Sequence, residues 1–323
     1  MSNPLINGPV TEDVLQAHQC LEAVDRVSGD PEMTQFKQTA RLLQALWREE
    51  QGIAIGSQPM RPTEGKPSRP LGSRIDLEFA RSTGVNFLSE SVRREVQKRI
   101  SDPQPHQTLD EDRLYCDLLS SMPMCFNLFG ELASDLSLAD RAVHTWWPDT
   151  PGRVSSVRFE WSPGRRLAGE YLENRSAFDV AFIMDLEDGT QGVLGIETKY
   201  HEHAKSESPP SEERITRYAQ VTSESGIMSR PAVESILGTE LQQIWLDHLL
   251  AVSMPLHPSG RWAWAKFVLV HPQKNSSYAH IAEQYRALLT KPETFEVQTI
   301  ESLLDASVLP QELSAAFRGR YLW

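Results

Sequence analysis

The chain has 323 residues, 40% of them hydrophobic, enough to bury a core of ordinary size in one large domain or two average ones. Its net charge of −12 excludes loose, charge-driven binding of nucleic acid over the whole surface, because each neutralised phosphate needs a cation; any such site must be a local patch. No eighteen apolar residues run together and "MSNPLINGPVTEDVLQ" lacks a basic, apolar leader, so the expected protein has no membrane span or signal peptide and resides in the cytoplasm.

Three cysteines, Cys20, Cys116 and Cys125, have no metal-like spacing, and Cys125 in "MPMCFNLF" reads as a small buried hydrophobe. In chain order, "TQFKQTARLLQALWREEQ" (34–51) places Phe36, Ala40, Leu43 and Trp47 at helical spacing. The four prolines of 57–73 predict an irregular loop. "SESVRREVQKRIS" predicts a helix capped by Ser89 or Ser91, and a longer helix is expected from about Asp112 through "SSMPMCFNLFGELASDL", kinked near Pro123. Two basic runs, "RREVQKR" (93–99) and "RRLAGEYLENR" (165–175), are the candidate nucleic-acid patches; their plain reading is solvated surface.

After residue 150 the pattern becomes β-rich. Strands are predicted at 153–162, 177–187, 191–200 and 262–272, with a helix at 238–254 between the last two. A helix near 276–290, a strand at "FEVQTI" and a C-terminal helix follow. The chain thus divides into a helical N-terminal region, 1–111, and an α/β domain, 112–323. From 112 to 272 the order is helix, three strands, helix, strand.

The second and third strands are joined by Asp188-Gly189, a strong hairpin signal. A two-residue loop there sets Asp179 opposite Thr198. A three-residue loop, Glu187-Asp188-Gly189 with Gly189 left-handed, sets Asp179 opposite Glu197, and alternation puts Lys199 on the same face. Phe178, Val180, Phe182, Leu194 and Ile196 on one face, with Ala181, Ile183, Val193 and Gly195 on the other, predict strands covered on both sides. Two carboxylates held together there repel, and a divalent cation is the simplest remedy; oxygen ligands suit Mg²⁺ or Mn²⁺ better than zinc. An acidic-x-Lys triplet is itself expected about once by chance. The "EGK" at 64–66 is such a twin without strands around it, so the context of "ETK" carries the signal.

This arrangement resembles the PD-(D/E)xK nuclease superfamily. "SAFDVAFIM" looks like its Asp motif, "GIETKY" like its ExK motif, and "CFNLFGEL" and "QQIWLDHLLA" look like a bacterial restriction-endonuclease-like branch. The resemblance covers roughly 112–272 and implies an αβββαβ core, a mixed sheet flanked by helices. It implies Asp179 and Glu197 as metal ligands with the Thr198 carbonyl, Lys199 as the catalytic lysine, and Mg²⁺ as cofactor with Mn²⁺ as substitute. Nucleic acid, DNA ahead of RNA, is the implied partner, with no membrane and room for a homodimer. Phe178 stands where the superfamily's name has proline. Other members add an acid from the first helix or strand and a Gln from the helix after ExK: Glu131 or Glu160, and Gln243, fill those places here, although Glu160 reads plainly as an outward carboxylate. The arginines of 165–175 would grip the substrate strand.

Competing readings are a nuclease fold that binds nucleic acid or a protein partner without cutting, and an α/β protein in which Lys199 merely bridges Asp179 and Glu197. His201 and His203 with Glu202 form a weaker candidate metal site, and His248, on an apolar helix face, reads as a core histidine.

Overall fold

The computed structural model describes residues 4–323 apart from 7, 59–67, 106, 108, 166, 167 and 173. At the N-terminus, α1 (Glu12–Ala17) precedes α2 (Pro31–Glu50), which starts where the Asp30 carboxylate accepts the Met33 N–H and Pro31 occupies the first turn. Phe36, Ala40 and Leu43 are buried on α2 as the spacing predicts, and so are Arg41, Gln44 and Arg48. The expected irregular loop over 57–73 needs correction at its ends: β1 (Ile55–Ser57) and β2 (Pro70–Ile75) pair antiparallel. Most of the prolines, and the "EGK" twin, lie outside the described residues. Next come α3 (Leu77–Thr83) and α4 (Glu90–Ser101), the latter capped by Ser89.

The long helix expected from about Asp112 to Leu136 is two helices, α5 (Glu111–Cys116) and α6 (Ser121–Ser134), and α7 (Leu136–Trp146) follows beyond it. Pro123 does not kink anything. It sits in the first turn of α6, where a backbone N–H has no helical acceptor to lose, and the break falls upstream, where Ser120 caps the new helix. Asp135 caps α7 by accepting the Leu138 N–H at 2.9 Å.

The β-rich half holds β3 (Arg153–Trp161), β4 (Phe178–Asp185) and β5 (Gln191–Thr198). Then follow α8 (Glu212–Ser225), α9 (Arg230–Ile236), α10 (Gln242–Ser253), β6 (Trp262–His271), α11 (Ser276–Ala287), β7 (Phe295–Thr299), α12 (Ile300–Asp305) and α13 (Gln311–Tyr321). The five strands stand in the order β3-β4-β5-β6-β7, the first two pairings antiparallel and the last two parallel. This is the expected mixed sheet in an αβββαβ frame, with α8 and α9 as additions to the crossover between β5 and β6. Among the described residues no helix is long and apolar enough to cross a membrane.

Both faces of the sheet are covered. Val180, Phe182, Leu194 and Ile196 pack with Phe126 and Phe129 of α6, Trp146 of α7 and Phe317 of α13. On the other side Ala181, Ile183 and Val193 pack with Tyr218 of α8, Trp245 and Leu249 of α10, and Ile281 of α11. Phe178 corrects the simple alternation. Its ring packs with the second set, against Gly195, where an added Cβ would lie 2.4 Å from Phe178 Cε1. The first set continues without a break into Ala40, Ile75, Phe87 and Val92, on both sides of residues 111 and 112.

The β4–β5 turn fixes the register. The Leu186 N–H donates to Thr190 O (3.0 Å), the Gly189 N–H to Leu186 O (3.1 Å), and Gly189 has φ 82°. The loop is therefore Glu187-Asp188-Gly189 with a left-handed glycine, and the ladder runs from Asp185 opposite Gln191 to Val180 opposite Ile196. The paired ladder ends there, and the same register carried one step on sets Asp179 against Glu197.

Candidate active site

Where the ladder ends, side chains replace backbone bonds. Asp179 Oδ2 accepts the Thr198 N–H (2.8 Å) and the Thr198 hydroxyl (2.6 Å). Lys199 donates to Glu197 Oε1 at 2.7 Å, and its Nζ lies 5.6 Å from the centre of the Tyr278 ring. Gln243, in the first turn of α10, donates to the same Glu197 oxygen at 3.4 Å. The side chains of Lys199 and Glu197 are only 10% and 12% exposed.

One turn beyond Gln243 the same helix presents Asp247, which sequence reasoning missed. It is 9% exposed, and its Oδ2 is buried with no hydrogen-bond partner. The available signal was an acid inside the otherwise apolar run "IWLDHLLA", four residues after Gln243.

Electrostatics set this cluster apart. Burial pushes the Asp179 carboxyl above its ordinary value, although the Thr198 hydroxyl, Lys199 and the Thr198 N–H pull it down. Glu197 is pushed well up by burial and by Asp179, against the pull of Lys199. Burial and Asp179 together raise Asp247 to about 7 despite Lys199. Burial alone would lower Lys199, but Glu197, Tyr278 and Glu202 hold its proton far above the usual range. Three carboxylates thus crowd one ammonium in a poorly solvated place, an arrangement that holds protons and would release them to a further positive charge.

Glu160 is not the outward carboxylate its alternation suggests. Phe159 pairs with Val180 and Trp161 with Phe178, which leaves Glu160 across from Asp179, buried and left-handed at φ 47°. Arg165 donates to the Glu160 carbonyl (2.9 Å) and lies 3.7 Å from its carboxylate, while Arg99 of α4 donates to Phe159 O (3.0 Å) and Glu160 O (3.5 Å). Non-glycine residues hold such a backbone only when their surroundings fix it, and these two guanidiniums do so. The buried Cys125 thiol on α6 is pushed well up by burial and then by Asp179, with smaller contributions from Glu160 and Glu197.

The same contacts correct the grip assigned to the basic runs. Arg165 is buried against Glu160, Arg166 lies outside the described residues, and Arg175 is exposed four residues before Asp179. In the 93–99 run Arg93 pairs with Glu90 (3.0 Å) and Lys98 with Glu95 (3.3 Å), the plain surface reading. Glu131 accepts from Ser89 Oγ at 2.5 Å, joining α6 to the start of α4.

The two histidines turn away from the carboxylates. His201 Nε2 lies 2.8 Å from Asp25 Oδ1, and His203 Nδ1 lies 3.4 Å from Lys37 Nζ. Glu202 accepts from the Tyr200 N–H (2.8 Å) and Ser121 Oγ (3.0 Å), which brackets the segment after Lys199. His248 is a core residue bonded to Tyr285 OH (2.9 Å) and Thr294 Oγ1 (3.0 Å). Burial pushes it down to about 3.

Among the described residues no three His, Cys, Asp or Glu side chains stand close enough to hold an ion together. The donor chemistry nonetheless fits a hard divalent cation: two facing carboxylates, an unsatisfied third carboxylate oxygen, and no soft ligand in use. Mg²⁺ in particular needs only one or two protein carboxylates, with waters and substrate phosphate completing its shell.

A mixed sheet with its acids on the antiparallel hairpin and helices on both faces is a nuclease-type architecture. The family model of the PD-(D/E)XK nuclease superfamily matches residues 30–323, and the chain belongs to that superfamily. No curated protein and no solved structure matches it.

Proposed function

We propose that the protein is a Mg²⁺-dependent nuclease that hydrolyses phosphodiester bonds, with DNA as the preferred substrate. The observation that carries this reading is the register-matched set of Asp179, Glu197 and Lys199, the lysine buried and the two acids partly so, with more negative than positive charge. Asp179, Glu197 and the Thr198 carbonyl would hold the cation, with Mn²⁺ able to replace it. The bound cation supplies a Lewis acid that polarises the phosphoryl group and makes a water more acidic. Lys199, kept protonated by Glu197, orients the attacking water and offsets charge that grows on the phosphoryl oxygens. Gln243 holds the Glu197 carboxylate in place, and Arg175, exposed ahead of Asp179, meets the substrate backbone.

The test is a cleavage assay on single- and double-stranded DNA and RNA, in Mg²⁺ and in EDTA, with wild type and Asp179→Asn. Cleavage in Mg²⁺ by wild type alone is expected. Binding of nucleic acid without cleavage of any substrate would favour a silent nuclease fold instead.

A further inference from the structure

Asp247 is the one carboxylate among the described residues with a buried oxygen that has no hydrogen-bond partner. A buried carboxylate oxygen normally finds a donor, and here the protein provides none. His248, its neighbour on α10, is fully engaged by Tyr285 and Thr294. Gln243 and Asp247 are four residues apart on α10, hence on one face, and the Gln243 amide reaches Glu197. The face that bears Asp247 therefore looks onto the paired carboxylates.

We propose that Asp247 is an outer carboxylate of this centre, accepting a hydrogen bond from a water that the divalent cation carries into the site. The proposal rests on the reading of Asp179 and Glu197 as the cation's ligands. Direct ligation is disfavoured because the three acids do not stand together at ligating distance, whereas Mg²⁺ retains several waters that need acceptors. The charge count agrees. With all three ionised, as a bound cation would favour, Asp179, Glu197 and Asp247 against Lys199 leave two negative charges, which one divalent cation balances.

The test is calorimetric titration of Mn²⁺ into the full-length protein without nucleic acid, comparing wild type, Asp247→Asn and Asp179→Asn. Asp247→Asn is expected to weaken binding by roughly 10- to 100-fold, the usual effect of losing an outer carboxylate. Asp179→Asn should abolish it. In EDTA, Asp247→Asn should melt at or above the wild-type temperature, because it removes an unpaired charge; should it fail to fold, Asp247→Ser serves the same comparison. Wild-type affinity in Asp247→Asn together with its loss in Asp179→Asn overturns the proposal and leaves the metal reading intact. Failure of wild type to take up Mn²⁺ overturns both.

Discussion

Two clusters of buried charge lie on either side of Tyr200, and they are built on opposite principles. In the first, Asp25 is completely buried yet satisfied: Arg41 donates to both of its oxygens and His201 approaches from a third direction. Burial alone would raise its pKa, but Arg41 and His201 bring it down to about 2. In the second, Asp179, Glu197 and Asp247 share Lys199 and all three carboxyls are shifted upward. Buried charge is therefore no mark of function by itself. A closed cluster locks α2 to the segment after the ExK strand, whereas an under-compensated one leaves room for a ligand's charge.

The largest effect should come from opening the closed cluster. Asp25→Ala leaves Arg41 buried without its partner and is expected to cost about 3–5 kcal/mol. By contrast Asp179→Asn should leave the protein in EDTA as stable as wild type or more so. Denaturant unfolding of both variants checks this; equal losses would erase the distinction.

A subtler break acts on the second cluster alone. Gly195→Ala places a methyl group against the Phe178 ring, beside Asp179, and should cost about 1–3 kcal/mol through overpacking. Activity should fall further than stability predicts, while the Asp25–Arg41 pair is untouched. Unfolding and turnover measured on the same preparation separate the two.

The clusters should also respond oppositely to pH. The Asp25 carboxyl is depressed on folding, so its contribution of about 2 kcal/mol is present above pH 4 and lost as pH falls toward 2. Asp247 is raised on folding, so stability without cation is fullest below pH 4 and declines as pH rises through 7. Burial sets that value, with Asp179 and Glu207 adding to it against Lys199, and Asp247→Asn should make the decline shallower while Asp179 and Glu197, also raised, keep the rest. Unfolding in EDTA between pH 2 and 8 reads both limbs.

What the sequence made legible was local. The Asp188-Gly189 turn offers a three-residue loop, period-two alternation marks the strands, and together they bring Asp179 to Glu197 and Lys199 before any tertiary contact is known. The features that escaped depend on distant parts of the chain. Asp247 belongs to the site only because α10 lies across β5 and β6. Glu160 is buried because Arg99, from α4, joins the nearby Arg165 in holding a left-handed backbone that alternation cannot express. Phe178 turns to the opposite face because Gly195, on the neighbouring strand, leaves space for its ring. α5 and α6 read as one helix because capping by Ser120 is weaker in sequence than the apolar spacing that runs through them.

The most direct test of the second cluster as a catalytic centre is single-turnover cleavage of DNA in Mg²⁺ by wild type and Lys199→Met, with Mn²⁺ binding measured alongside. Expected is cleavage by wild type and a loss of about a hundredfold or more in Lys199→Met, with the cation still bound. Cleavage by Lys199→Met at the wild-type rate would contradict the assignment.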